Sequence, residues 1–103
     1  MLKKKFLKTK CKVEFILSTE IAGNDSTVCL VGDFNNWNET ETPMMLDKQR
    51  KHFTVTVDLQ LNTEYQFRYL VNGSEWHNDW QADGYTPNDF GGDNAVVKTI
   101  PTE

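Results

Sequence analysis

Apolar and polar residues alternate with period two along most of this chain. Cys11, Val13, Phe15 and Leu17 are interleaved with Lys12, Glu14 and a leading Lys10. That spacing puts the apolar set on one face of a half-buried strand. Val28 and Leu30 lead into Gly32 and Phe34, and Phe53, Val55 and Val57 alternate with Thr54, Thr56 and Asp58. Tyr65, Phe67, Tyr69 and Val71 alternate with Gln66 and Arg68, and a last short run covers 95–100. No window keeps an apolar stripe at helical spacing, so little or no helix is expected. Polar clusters at 22–26 and 47–51 separate the runs, and Asn72-Gly73 ahead of Ser74-Glu75-Trp76 predicts a hairpin, because both turn residues tolerate positive φ. The pattern predicts an all-β chain folded as an antiparallel β-sandwich.

Composition adds one surprise to a globular profile. The 103 residues are 38% hydrophobic and 25% charged, enough for one domain, but 12% are aromatic. Three Trp, three Tyr and six Phe exceed what so small a core needs, so some rings are expected to face water. Alternation divides them. Phe15, Phe34, Phe53, Tyr65, Phe67 and Tyr69 are expected in the sandwich interior, whereas Trp37, Trp76, Trp80 and Phe90 fall in polar loops.

Charge is uneven. The net charge is −4, yet six of the eleven Lys and Arg residues lie between positions 3 and 12. Residues 1–9 are expected as a basic N-terminal extension ahead of a module spanning 10–100. The lysines read as a solvated tail entering an edge strand, where they discourage sheet-to-sheet aggregation. No second basic patch accompanies them, so nucleic acid is not an expected partner. No apolar run approaches the ~20 residues of a membrane span. Lys8, Lys10 and Lys12 interrupt any signal-peptide core, and a cytoplasmic location is expected. Cys11 and Cys29 are too few for a disulfide framework and are expected as reduced thiols.

Catalytic signals are sparse. There is no nucleophile elbow and no phosphate-cradling glycine loop. His52 at a strand start and His77 in a polar loop have no Ser or Cys partner at a recognisable spacing. Asp79 to Gly84 mimics the first half of an EF-hand loop, but its twelfth place holds Phe90 instead of a bidentate Glu. A looser calcium site from Asp83, Asp89 or Asp93 stands beside the simpler reading, in which these side chains brace their own turns. Fifteen acidic residues would allow a glycosidase pair by count, but a chain of this size has little mass with which to hold two carboxyls across a buried cleft.

The tryptophans point elsewhere. Trp37 lies inside the Asn-rich run Gly32-Asp33-Phe34-Asn35-Asn36-Trp37-Asn38, Trp76 follows the hairpin turn, and Arg68 points to the outer surface by alternation. A pyranose ring offers an apolar C–H face to an indole and a rim of hydroxyls to amides and a guanidinium. Each stacked ring is worth ~1–2 kcal/mol, so two such platforms imply dissociation constants of about micromolar to millimolar. The alternative is that each Trp tucks beneath its own loop as a local core.

These residues resemble a known family. Val28-Cys29-Leu30-Val31-Gly32-Asp33-Phe34-Asn35-Asn36-Trp37, then Pro43-Met44, Tyr65 to Gly73, Trp76, Asn78-Asp79 and Asn88 to Val97 are similar, in that order, to the isoamylase early-set starch- and glycogen-binding module. That module precedes the catalytic barrel of isoamylases, pullulanases and branching enzymes, and forms the glycogen-binding domain of the AMP-activated protein kinase β subunit. The resemblance implies an immunoglobulin-like early-set sandwich that binds α-1,4-glucans such as glycogen and maltooligosaccharides. It further implies that Trp37 and Trp76 stack on glucose units and that Arg68 and Asn94 bond hydroxyls. Phe90 stands where kinase-type members carry a ring-threading Leu, and is expected to touch sugar.

The expected function is non-catalytic glucan binding with no cofactor and no metal. A glycogen-metabolising enzyme is an expected partner, since a chain of this length leaves no room for the family's usual catalytic neighbour. The alternative is a regulatory or protein-interaction subunit for a separately encoded glucan enzyme or kinase, its sugar site vestigial. A small glycoside hydrolase is the third reading.

Overall fold

The computed structural model describes residues 1–89 and 91–101, and its regular structure is almost wholly strand. β1 (Leu2–Phe6), β2 (Cys11–Ser18), β5 (His52–Leu59) and β4 (Met45–Asp47) form one antiparallel sheet in the order β1-β2-β5-β4. β3 (Val28–Gly32), β6 (Glu64–Val71), β9 (Asp93–Lys98) and β8 (Gly84–Pro87) form the other, in the order β3-β6-β9-β8. β3 occupies one edge of β6. Along the other edge β9 pairs with Glu64 to Phe67, and β7 (Glu75–His77) takes over at Tyr69 to Val71. The only helical pieces among the described residues are α1 (Thr19–Ala22) and a 3₁₀ turn, Asp33–Asn35.

Alternation fixes the core. Cys11, Val13, Phe15 and Leu17 face inward from β2 and meet Val28, Leu30, Phe67, Tyr69, Val71, Ala95 and Val97 of the second sheet. Phe15 packs edge-on against Phe67 at 5.0 Å, and Phe67 against Tyr69 at 5.7 Å. Fully burying an apolar side chain of this size contributes about 1.5–3 kcal/mol, so this aromatic spine is a principal source of stability. Tyr69 is polar at its tip, and its hydroxyl donates to the buried Asp79 carboxylate at 2.8 Å. Burial, and then the Asp79 charge, hold the Tyr69 phenol well above its ordinary range.

Several expectations need correction. Phe34 and Tyr65 are half-buried and pack against the core from its rim. Phe34 lies in the 3₁₀ turn beyond the end of β3, and the Tyr65 hydroxyl emerges to accept the Gln60 N–H. Trp76 and His77 belong to strand β7 and not to a loop, because the hairpin continues pairing past Asn72-Gly73. β4 and β8 are too short or too polar to show an alternating run. β8 even ends in Pro87, which an edge strand tolerates.

The N-terminal segment forms β1, paired with β2 from Leu2↔Phe15 to Phe6↔Cys11. Lys4 bonds Asp83, and Lys10 and Lys12 share Asp58, whose carboxyl these bonds hold below its usual range. Cys11 and Cys29 are free thiols on opposite sheets, and burial pushes both up in pKa.

Candidate functional site

The outer face of the second sheet carries a cleft of about 720 Å³, within the usual range for small-molecule sites. Gln66 and Arg68 of β6 form its floor. Trp76 of β7 and Asn94 of β9 flank them, and Trp37 overhangs from the turn after β3. Four of the five residues singled out from the sequence, Trp37, Arg68, Trp76 and Asn94, therefore converge from four separate stretches of chain. The fifth, Phe90, lies outside the described residues.

Trp37 is placed by a strained turn. Gly32 ends β3 where a Cβ would meet the Gln66 carbonyl at 2.6 Å and the Phe34 ring at 2.8 Å. Buried Asn35 braces the bend, accepting from Gly32 N–H and donating to Leu30 C=O and Thr42 Oγ1. Asn36 and Trp37 then both adopt left-handed backbone, with φ of 58° and 57°. An L-residue there costs about 1–2 kcal/mol, and an aromatic one is a genuine outlier. Such strain persists only where the surroundings impose it, and it gathers at ligand sites. Here the Trp37 backbone N–H donates to the Gly32 carbonyl at 2.9 Å, and Asp33 takes the Trp37 indole N–H on Oδ1 at 2.9 Å and the Gln66 backbone N–H on Oδ2 at 2.7 Å.

Trp76 lies opposite Leu70 across the β6–β7 pair, with 38% of its surface exposed. The Arg68 guanidinium carbon stands 6.0 Å from its ring centroid, at the outer limit of a cation–π contact. Asn94 is held in a row of amides. It donates to Gln66 Oε1 at 3.0 Å and accepts from Asn88 Nδ2 at 3.2 Å, while Asn88 Oδ1 accepts the Gly92 N–H.

Gln66 and Asn88 were not singled out from the sequence. Gln66 carried a signal, since it shares the outward face of β6 with Arg68. Asn88 reaches the cleft only through the β8–β9 pairing, which no local pattern announces.

The acidic loop does other work. Asp79 is turned inward to Tyr69, meets the Met1 α-ammonium group, and accepts the Gln81 N–H at 2.8 Å. Asp83 holds Lys4 and the Lys98 N–H. No group of three metal-ligating side chains occurs among the described residues. These carboxylates brace turns and strands.

Two indoles thus stand beside amides and a guanidinium on the outer face of a β-sandwich. The family described as the glycogen recognition site of AMP-activated protein kinase matches residues 17–102, and the chain belongs to that family of glycogen-binding modules. β1 and most of β2 lie outside the match. No curated protein matches the chain.

Proposed function

We propose that this cleft binds α-1,4-linked glucan chains of glycogen. Trp37 and Trp76 stack on glucose units, and Arg68 and Asn94 bond their hydroxyls. The observation that supports this most is the convergence of those four residues in one cleft around a backbone strained to present Trp37. Area burial and ring electrostatics give ~1–2 kcal/mol for each stack, so affinities of about micromolar to millimolar are expected.

The chain acts without turnover. Glu39 and Asp89, the carboxylates lining the cleft, are both exposed, outside the enclosed and water-excluding setting that hydrolysis needs. A module of this kind holds a glucan-processing enzyme on its polymer, and cytoplasmic glycogen is the expected target. Both tryptophans and an intact amide row favour a working sugar site over a vestigial one.

The test is retardation in glycogen-containing native gels together with calorimetry against maltoheptaose. Wild type should be retarded, and Trp37→Ala should bind about five- to thirtyfold more weakly, as expected for a loss of 1–2 kcal/mol. Equal affinity for the two proteins would overturn the assignment.

A further inference from the structure

Three buried side-chain atoms have no hydrogen-bond partner among the described residues: Arg68 Nε, His52 Nε2 and Asn78 Oδ1. Buried polar atoms are nearly always satisfied, so each exception calls for an explanation. Arg68 lies in the cleft described above. His52 and Asn78 both line a second cleft, of about 540 Å³, formed where the ends of β2 and the start of β5 meet the loop after β7.

The rim of this second cleft is Trp80, the most exposed large hydrophobic residue described, at 82%. Its exposure follows from its neighbour. Asp79 is drawn inward by the Tyr69 hydroxyl, and its backbone carbonyl accepts the Tyr85 hydroxyl at 2.5 Å. With Asp79 pinned on both counts, the chain throws the next side chain outward. The ring faces water next to a residue held at both its side chain and its carbonyl, which presents it as an open stacking surface.

We propose that this second cleft is a further α-glucan contact, with Trp80 as the stacking surface and His52, Asn78 and Arg50 as the groups that bond hydroxyls. The proposal rests on the glucan reading of the first cleft. The chemistry fits a neutral polyol. Ile16, Leu17 and Ile21 give an apolar wall, Arg50 donates, and Asn78 Oδ1 accepts. The His52 ring does either, according to its tautomer. Asn78 is anchored through its Nδ2, which donates to the Asp93 carbonyl at 2.7 Å, leaving its Oδ1 and the His52 Nε2 as the unpartnered atoms of this lining among the described residues. Arg50 lies within 3.8 Å of Asp47 and the Met1 α-ammonium group meets Asp79, so these two cations of the lining are already paired, while Lys51 stands on the exposed rim. Two weak contacts on one small module act together on a polymer with many chain ends, where the second binds at an effective concentration of about millimolar.

The experiment is a two-dimensional NMR titration of wild type, Trp37→Ala and Trp80→Ala with maltoheptaose, followed by glycogen-gel retardation of the same proteins. In Trp37→Ala, the Trp80 indole N–H and the backbone amides of 50–52 and 78–81 should still shift and saturate. In Trp80→Ala those shifts should vanish while the responses of Trp37 and Trp76 remain, with maltoheptaose affinity at the first cleft within about twofold of wild type and glycogen retardation several-fold weaker. Trp80 is exposed, so its replacement leaves the fold intact, and an unchanged melting curve verifies this. Wild-type shifts confined to Trp37 and Trp76 would overturn the second cleft alone. No shift anywhere and no retardation would overturn both readings. Self-association that depends on Trp80, seen by sedimentation without a sugar response at Trp80, would assign the cleft to a second copy of this chain and overturn the proposal.

Discussion

Asp33 touches the ligand in no reading of the cleft, yet it should govern affinity. Its two oxygens hold the Trp37 indole at 2.9 Å and the Gln66 backbone at 2.7 Å, tying the overhanging ring to the floor of the site. Asp33→Ala frees the ring, and the glucan must then immobilise it on binding. Immobilising one side chain costs about 0.5–1.5 kcal/mol, a two- to tenfold rise in dissociation constant at about 1.4 kcal/mol per decade. Losing the indole altogether should cost more, about 1–2 kcal/mol. The double variant Asp33→Ala/Trp37→Ala should bind no more weakly than Trp37→Ala alone, because both changes act through one ring. Calorimetry with maltoheptaose measures all four proteins. Melting curves guard against instability, since two lost surface hydrogen bonds at about 0.5–1.5 kcal/mol each lower the midpoint by several degrees. Wild-type affinity in Asp33→Ala would refute the reasoning. So would a double variant weaker than Trp37→Ala by more than about twofold, which would mean that Asp33 meets the glucan directly.

Two further outcomes follow from the fold. Gly32→Ala forces a methyl group to within 2.6 Å of the Gln66 carbonyl and should cost about 1–3 kcal/mol, read as a lower urea midpoint with unchanged slope. The Tyr69 phenol is held above its unfolded value of about 10, so its contribution is complete below pH 10 and is lost as pH rises toward the folded pKa. Urea midpoints measured from pH 8 to 11 should therefore fall at the alkaline end, and fall less steeply in Tyr69→Phe; equal slopes would contradict the assignment.

The strands with strict alternation were legible because burial on one face leaves a period-two trace. β2, β5 and β6 are such strands, and the Asn72-Gly73 hairpin was legible from its turn residues. β4 and β8 left no trace, being edge strands three and four residues long whose place is set by partners distant in sequence. The site divides along the same line. Arg68 was legible from parity, and Trp37 and Trp76 from aromatic rings in polar surroundings. Parity also placed Gln66 outward, but only the structure shows its amide answering Asn94. Asn88 reaches the cleft through long-range pairing, and the left-handed backbone at Trp37 has no signature in a residue type that ordinarily avoids it.

The row of amides along the cleft wall has a sense of direction. The Gly92 N–H points to Asn88, the Asn88 amide nitrogen to Asn94, and the Asn94 amide nitrogen to Gln66, so every carbonyl oxygen along it receives and every nitrogen gives in the same order. Dipoles aligned head to tail polarise one another, strengthening each link by roughly 10–30%. The row ends at the Gln66 amide on the cleft floor, which becomes the electropositive terminus of a small molecular wire. A change made at Asn88, at the far end of that wire, is thus felt electrically at Gln66 without any atom of the floor having moved.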